Sequence, residues 1–319
     1  MGSSALDCDL PRTGQRQRPL PPGLRASDEE ARVGLHPFGP AGARRTQIAS
    51  KYSTVAAEYP GADMSVPRTP ILGQPALARA FDDAGARLVR YRPGQEMRRH
   101  AHDWLGVTLV LSGRLQDTIA DRVIVCRPLT LVVKPAGAEH ETRVASDGAL
   151  TLHFTLSTAA ADVLSRAGLD LDRCHHLHAG RAAAPLLELL HGSPHADTPV
   201  GAVLADAILK SAGNTPLAEP PPDFAHESTR AAASAVGMHP VAFARRFRRR
   251  TGVSPTDWRL RRRVEFAAAA LAGGSDALAS IACDAGFADQ AHLCRVFKRQ
   301  TGLTPGVFRR IVHEMQRPC

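Results

Sequence analysis

Two stretches near the C-terminus decide the fold: residues 243–255 read FARRFRRRTGVSP, and residues 293–305 read LCRVFKRQTGLTP. The second stretch repeats the first at an offset of 50 residues. An internal repeat indicates that one structural unit occurs more than once. Residues 230–310 therefore predict a duplicated element.

Each copy follows an alanine-rich segment that ends in glycine. These segments read AAASAVG over residues 231–237 and LASIACDAG over residues 278–286. A helix, a glycine turn and a second helix form the helix-turn-helix pattern. Pro240 suits the first turn of one second helix, and Asp289 can cap the other.

The second helix of each unit has an inner and an outer face. Phe243 and Phe247 are four residues apart, so they share the core side of their helix. Arg245 and Arg295 occupy matching outward positions, and an arginine can fork onto guanine or onto a phosphate, as Gln290 can pair with adenine. We expect the DNA contacts to come from Val241, Ala242, Arg245, Arg249, Gln290, Ala291, Arg295 and Arg299.

The positive charge of the chain is concentrated in this same region. Residues 226–319 hold 16 of the 40 Lys and Arg but only 7 of the 31 Asp and Glu, while the first 225 residues are balanced. Such segregation suggests a polyanionic partner. The alternative is a solvated arginine-rich face, but the duplicated motif and the charge together favour DNA binding.

A single helix is predicted between the two units. Ser254 and Pro255 form a helix start, and Gly273 and Gly274 end the helix after Ala272. Eighteen residues make a rod of roughly 27 Å. One DNA turn is about 34 Å, so both recognition helices could enter successive major grooves from one monomer.

Residues 285–299, AGFADQAHLCRVFKR, resemble the signature of the AraC/XylS family of transcriptional regulators. The resemblance covers about residues 228–312. It implies a DNA-binding domain over 228–314 that contacts promoter DNA, often with recruitment of RNA polymerase. The family usually has a helix before the first unit, whereas residues 217–228 contain three consecutive prolines here, which predicts a less fully braced first unit.

Short apolar or alternating runs upstream predict a β-sandwich or β-barrel. Residues 159–214 are alanine- and leucine-rich and predict two or three connecting helices, which either dimerise the protein or pack on their own chain. Residues 215–227 are a proline-rich linker, and residues 1–70 read as a disordered extension, with Met64 as an alternative start. The fold class expected is a multidomain α+β protein.

Two histidine-containing motifs lie within the predicted strands. Gly94, the HAH stretch at 100–102 and Gly113 resemble the first motif of the cupin superfamily, and PAGAEH at 135–140 resembles the second. The resemblance implies that residues 71–158 form a cupin-like domain that senses a small-molecule effector. The candidates for its pocket are His100, His102, Trp104 and His140.

The same histidines raise the question of a metal. His100 and His102 would point to one side of a strand, and His140 could join them from a neighbour. Three imidazoles can hold zinc or a similar divalent ion. The superfamily's glutamate ligand would fall at Gly106, so we favour hydrogen-bonded pocket histidines. Residues 174–178, CHHLH, also look metal-like but read as a solvated turn.

The composition of the chain excludes several classes of protein. No run of eighteen apolar residues and no signal peptide is present, so we expect a cytoplasmic protein without a membrane partner. Six widely spaced cysteines argue against a disulfide framework. We predict a non-enzymatic, effector-responsive DNA-binding regulator without an essential cofactor. The rivals are a metal-dependent cupin enzyme with an accessory DNA-binding domain and a nonspecific DNA-coating protein.

Overall fold

A computed structural model describes residues 73–120, 122–191, 199–211 and 228–317. The predictions for residues 1–70, including Met64, and for the linker at 215–227 lie outside these ranges. So do the prolines that precede the first helix-turn-helix unit.

The N-terminal part is an antiparallel sheet. The strands are β1 Gln74–Ala80, β2 Ala84–Tyr91, β3 Glu96–His100, β4 Leu105–Ile119, β5 Arg122–Cys126, β6 Thr130–Lys134, β7 His140–Leu156 and β8 His175–His178. Their order in the sheet is β1-β2-β7-β4-β6-β8, with β3 paired to β7 and β5 paired to β4. The apolar and alternating runs predicted β2, β4, β5, β6 and β7, and the long β4 and β7 form the centre.

The sheet separates an outer apolar core from an inner cavity. Along the first half of β4, Val107 and Leu109 belong to the outer core, while Gly106 and Thr108 line the cavity. The strand register is irregular between Val110 and Leu115, and this reverses which side chains of β4 face the cavity. Bulges of this kind change which side chains face a given side. As a result, Asp117 points into the cavity.

Strand β8 corrects the prediction of a solvated turn at residues 174–178. His175–His178 pairs antiparallel with β6, with Thr130 opposite His178. The edge of β6 would otherwise present unpaired backbone groups. The polar composition of the segment concealed this pairing, and the sheet therefore extends past residue 158.

Helices cover the outer face of the sheet. They are α1 Thr158–Arg166, a 3₁₀ turn at Gly180–Ala182, α2 Ala183–Glu188 and α3 Val200–Ser211. The carboxylate of Asp83 accepts hydrogen bonds from the backbone N–H groups of Val200 (2.9 Å) and Gly201 (2.8 Å). These bonds fix the start of α3 to the strand connection. The predicted connecting helices are confirmed.

The C-terminal part is all helical. The predicted starts are confirmed, because Pro240, Pro255 and Gln290 begin helices and Ser254 and Asp289 cap theirs. The helix between the two units has 19 residues, which is about 28 Å of helix. The helices are α4 Thr229–Ala235, α5 Pro240–Thr251, α6 Pro255–Gly273, α7 Leu278–Asp284, α8 Gln290–Thr301 and α9 Pro305–Met315.

The two helix-turn-helix units are packed unequally. Phe243, Phe247 and Trp258 form a small separate core with two alanines of α4. In the second unit, Phe297 and Phe308 belong to the same continuous core as the outer face of the sheet. The second unit is therefore joined to the N-terminal part by apolar packing. The expected fold class, an N-terminal barrel, connecting helices and a C-terminal double helix-turn-helix, is confirmed.

Candidate functional site

The recognition helices α5 and α8 present their predicted contact residues to solvent. Phe243 and Phe247 are buried on the opposite side of α5, as Leu293 and Phe297 are on α8. Their periodic burial leaves the outer faces exposed. The exposed residues include all eight expected to contact DNA: Val241, Ala242, Arg245, Arg249, Gln290, Ala291, Arg295 and Arg299.

Local capping fixes where each recognition helix begins and ends. The Asp289 carboxylate accepts a 2.6 Å hydrogen bond from the backbone N–H of His292 at the start of α8. Gly252 and Gly302 end α5 and α8 with φ of 78° and 86°. Glycine adopts this left-handed conformation without steric cost. The matching caps give the two helices the same length.

A small polar cavity lies inside the barrel. Its volume is about 50 Å³, well below the roughly 300–1,000 Å³ of pockets for drug-sized ligands. The cavity brings together the four residues predicted for the effector pocket: His100, His102, Trp104 and His140.

The three histidines converge at one side of this cavity. His100 and His140 are directly opposite each other on β3 and β7, with ring centroids 4.3 Å apart. The rings of His100 and His102 are 4.9 Å apart, and one ligand atom from each of the three lies within 4.8 Å of the others. Burial and the neighbouring positive groups lower the pKa of His102 to about 3 and that of His140 to about 4. Both imidazoles are therefore neutral at neutral pH.

Trp104 explains why residue 106 is glycine. The indole stacks on the His102 ring with centroids 4.3 Å apart. A Cβ atom at Gly106 would lie 2.4 Å from Cζ3 of Trp104. Gly106 lines the cavity, at the position where the cupin resemblance would place a glutamate. A side chain at residue 106 would therefore require the indole to move.

Sequence reasoning missed a buried charged group in the cavity wall. Asp117 accepts a 2.6 Å hydrogen bond from Thr142 Oγ1 and lies 3.1 Å from Lys134 Nζ. Burial alone would raise the pKa of Asp117, but Lys134, His176 and Thr142 outweigh it and hold this pKa well below its usual range. Burial and the neighbouring Asp117 carboxylate raise the pKa of the Cys126 thiol. Only the irregular register of β4 turns Asp117 inward, so simple alternation could not reveal it.

A second missed group is the Tyr91–His153–Thr108 chain. The His153 ring nitrogens lie 2.8 Å from Thr108 Oγ1 and 3.0 Å from the Tyr91 hydroxyl. Burial lowers the pKa of His153 to about 3. The alternation of β7 places His153 on the inner face with Thr151, and this pattern was the signal available in the sequence.

A polar seam joins the N-terminal part to the DNA-binding helices. Glu265 of α6 is buried and accepts a 2.7 Å hydrogen bond from Arg262. Arg127, from the turn between β5 and β6, interacts electrostatically with both Arg262 and Glu265. Burial, with the charge of Arg262, lowers the pKa of Arg127 to about 10. His191, after α2, lies 2.9 Å from Glu314 on α9.

Gly302 lies close to the N-terminal part across this seam. A Cβ atom there would lie 2.9 Å from Ala184 Cβ and 3.3 Å from the Arg181 carbonyl oxygen. At Gly252, the equivalent glycine of the first unit, nothing lies within 4 Å. The seam therefore holds the second unit and leaves the equivalent surface of the first unit open.

Comparison with known families gives two matches. A family model described as a helix-turn-helix domain matches residues 232–311, and one described as an AraC-like ligand binding domain matches residues 85–212. The first match spans the duplicated units, and the second spans the barrel and the connecting helices. Each match falls on a part of the chain with its own candidate site.

Relatives extend over most of the chain. A Streptomyces antibioticus protein assigned as an AraC-like transcription regulator is 31% identical over 240 residues, which is 73% of each chain. A Streptomyces lividans protein with the same assignment is 29% identical over 209 residues, or 64% of each chain. Among solved structures, ToxT from Vibrio cholerae is 10% identical with a TM-score of 0.33, over 72% of this chain and 98% of ToxT.

Within the described ranges, no helix is both long enough and apolar enough to span a membrane.

Proposed function

The chain belongs to the AraC family of transcriptional regulators, and we propose that a small molecule in the barrel cavity controls how its two recognition helices engage promoter DNA. The single observation that carries the proposal is the placement of the two arginine-bearing faces. Arg245 and Arg295 are exposed at equivalent positions of the duplicated helices α5 and α8, and α6, which is about 28 Å long, lies between the two units in the chain.

The DNA-binding role of the outer faces is supported by charge and exposure. Arg295 and Arg245 can each reach a base edge or a phosphate, and Gln290 adds an amide that can pair with adenine. The last turns of α5 and α8 are basic, with three arginines on α5 and Lys298 and Arg299 on α8. These charges supply the nonspecific attraction on which base recognition builds.

The effector site in this proposal is the barrel cavity. Its wall combines neutral imidazoles, the Asp117–Lys134 pair and the Trp104 indole. Pockets with a few convergent polar groups and perturbed pKa values are the usual places for ligands. The small volume favours a small polar occupant over a large apolar one.

The seam supplies a route from the cavity to the DNA. The inner and outer faces belong to the same strands, so a movement of β4 at Thr108 also moves its outer residues against α6. Among the described residues, the apolar core at the seam includes the second unit and not the small core of the first, and so the effector would change the position of the second unit relative to the first. An effector acts in this way only if it binds one arrangement more tightly than the other.

The partners beyond DNA are also proposals. Recruitment of RNA polymerase rests on the family membership, and transcription in vitro with purified polymerase tests it. Promoter DNA as the partner supports a cytoplasmic location. The packing of α1 on α3 and of α3 on the 3₁₀ turn favours an intramolecular role for the connecting helices over a homodimer interface. Light scattering tests this assignment, and a dimeric mass would contradict it.

One observation weighs against the enzyme alternative. Residue 106 is glycine, so the histidines have no carboxylate partner at that position. The nonspecific-coating alternative predicts binding that is uniform over the genome.

Genome-wide occupancy mapping tests the proposed function directly. The wild-type chain should occupy a limited set of promoters, and a chain with both Arg245→Ala and Arg295→Ala should lose these peaks. The matched control is Arg310→Ala, an exposed arginine on α9. Uniform occupancy by the wild type would contradict the proposal.

A further inference from the structure

We propose that Val241 on α5 contacts the 5-methyl group of a thymine in the major groove, which makes it a specificity-determining residue of the first helix-turn-helix unit. The proposal rests on the DNA-binding function given above and names the base that this unit selects. It is supported by the exposure of Val241, by the residues around it and by the difference between α5 and α8.

Val241 is an apolar side chain on the outer face of its helix. Valine is among the residue types most often buried, yet Val241 is 54% exposed. On the same helix, Phe243 and Phe247 are 4% and 2% exposed. Helical spacing places Val241 on the side away from these two rings. Single exposed apolar residues are common on protein surfaces, so the surroundings of Val241 decide its role.

The surroundings of Val241 form an open groove on α5 that extends to the start of α6. Two arginines and a serine line this groove together with three residues that have apolar side chains: Pro240, Val241, Ala244, Arg245, Arg248 and Ser254. Proline has no backbone N–H to donate. The hydroxyl of Ser254 already donates a 2.7 Å hydrogen bond to the Asp257 carboxylate. The groove therefore combines apolar contact surface with the positive charge of its two arginines.

This combination matches the major groove of DNA at a thymine. Among the four standard bases, only thymine presents a methyl group there, and apolar side chains recognise thymine by contact with that methyl. The phosphates along the groove complement the charge of Arg248. Arg245 can reach a phosphate or the edge of a neighbouring guanine. The apolar part of the groove and its charged part thus each have a counterpart on the same duplex.

The position of Val241 along α5 supports a contact with a base. The helix begins at Pro240, so Val241 is its second residue. In helix-turn-helix proteins the N-terminal residues of the recognition helix contact the base edges. Arg245 follows one turn later on the same face, and the last turn carries Arg248, Arg249 and Arg250. The helix therefore offers apolar contact at its N-terminal end and positive charge along the rest of its length.

The equivalent positions on α8 carry different chemistry. The 50-residue offset of the repeat pairs Val241 with Ala291, which has a smaller apolar side chain. It pairs Pro240 with Gln290, whose amide can pair with adenine. The arginine one turn later is the same in both helices. We therefore expect an asymmetric DNA site, in which the first unit selects a thymine by its methyl group.

The test compares thymine with uracil, which differs only by the absence of the 5-methyl group. The full-length chain first selects its preferred duplex from a randomised library of about 30 bp, long enough for two successive half-sites. The selected duplex is then remade with uracil in place of one thymine at a time. At one position the wild type should bind the uracil form about 3- to 5-fold more weakly, as expected for one buried methyl group.

Val241→Ala should bind the thymine form of that position about as weakly as the wild type binds the uracil form. Its response to uracil at the other positions should stay as in the wild type. Val241→Ile keeps the apolar contact and should keep the preference for thymine. The matched control is Val123→Ala, because Val123 is 56% exposed but lies on β5. Alanine favours a helix more than valine does, so the alanine variant at 241 should fold.

Three outcomes would overturn the proposal. The wild type could lose no affinity at any uracil position, or Val241→Ala could respond to uracil as the wild type does at every position. An equal loss of affinity for the thymine and uracil forms in Val241→Ala would mean that the groove has another occupant, such as a second protein molecule.

The selection step separates this proposal from the proposed function. If the wild type enriches no sequence from the library, the regulator function fails, and the assignment of Val241 fails with it. If the wild type enriches a sequence but shows no effect of the methyl group, the regulator function stands and only the assignment of Val241 is wrong.

Discussion

His191 Nδ1 lies 2.9 Å from Glu314 Oε2, and this contact links the segment after α2 to the last helix of the DNA-binding part. Both side chains are more than a third exposed. Exposed ion pairs contribute only about 0–1 kcal/mol. The continuous apolar core across the seam therefore contributes more than this ion pair, and Gly302 lies close to Ala184 there.

We predict that Gly302→Ala destabilises the chain more than Gly252→Ala. Both glycines have positive φ, so each alanine costs about 1–2 kcal/mol of backbone strain. Of the two, only the alanine at 302 also overlaps Ala184 and lies tightly against the Arg181 carbonyl oxygen, which adds about 1–3 kcal/mol of overpacking. Denaturant unfolding measures both free energies. Equal losses would mean that the seam is not closed in solution.

We predict that truncating a core phenylalanine loosens a different part of the chain in each of the two units. Phe247→Ala and Phe297→Ala each remove a buried ring, at a cost of about 3–5 kcal/mol. The separate core around Phe247 should confine increased hydrogen exchange to about residues 228–258. Phe297 belongs to the continuous core, so its loss should also raise exchange in the sheet. Identical exchange maps would contradict the unequal packing.

Acid should weaken the fold through His178. Burial and the charge of Arg261 lower the pKa of His178 to about 4 in the folded chain, whereas an unfolded histidine titrates near 6.5. The unfolded chain therefore takes up this proton first as the pH falls. The contribution of neutral His178 to the free energy of unfolding is complete above about pH 6.5. It is lost progressively between pH 6.5 and pH 4, with about 2 kcal/mol lost at pH 5.

His178→Gln should flatten this part of the stability profile. His175→Gln, on the same strand but half-exposed, is the control. Urea unfolding at pH 7 and pH 5 measures the difference. If His178→Gln loses as much stability between pH 7 and pH 5 as the wild type, other groups cause that loss.

The recognition face is tested by Arg295→Ala. If Arg295 reads a base, the variant should bind the cognate site more weakly by about 1–3 kcal/mol and should discriminate less between bases at that position. If Arg295 contacts phosphate, binding should fall on all sequences and the salt slope should decrease by about one. Arg310→Ala should leave both measures unchanged. An Arg295→Ala variant with wild-type affinity and salt slope would remove this residue from the interface.

The helices of the DNA-binding part could be predicted because their signals are local. Proline at the first turn of α5 and α6, Asp289 before α8 and glycine after each recognition helix fix the ends within a few residues. Burial at Phe243 and Phe247 then follows from helical spacing. The exposed faces could be assigned for the same reason.

The cavity wall and the seam were harder to predict because they depend on non-local contacts. Asp117 faces inward only because the register of β4 shifts before it. His178 is buried because β8 completes the edge of β6, which its polar neighbours did not suggest. The contact of Gly302 with Ala184 joins residues more than a hundred positions apart. No periodicity within either segment could indicate that contact.

The most direct test of the central claim is competitive DNA binding by the full-length chain at physiological salt. A promoter fragment found by occupancy mapping competes against unrelated DNA of equal length. Specific recognition by α5 and α8 predicts a preference of roughly 10³ or more for the promoter, and this preference should collapse when Arg245 and Arg295 are both changed to alanine. Equal affinity of the wild-type chain for the two DNAs would contradict the account.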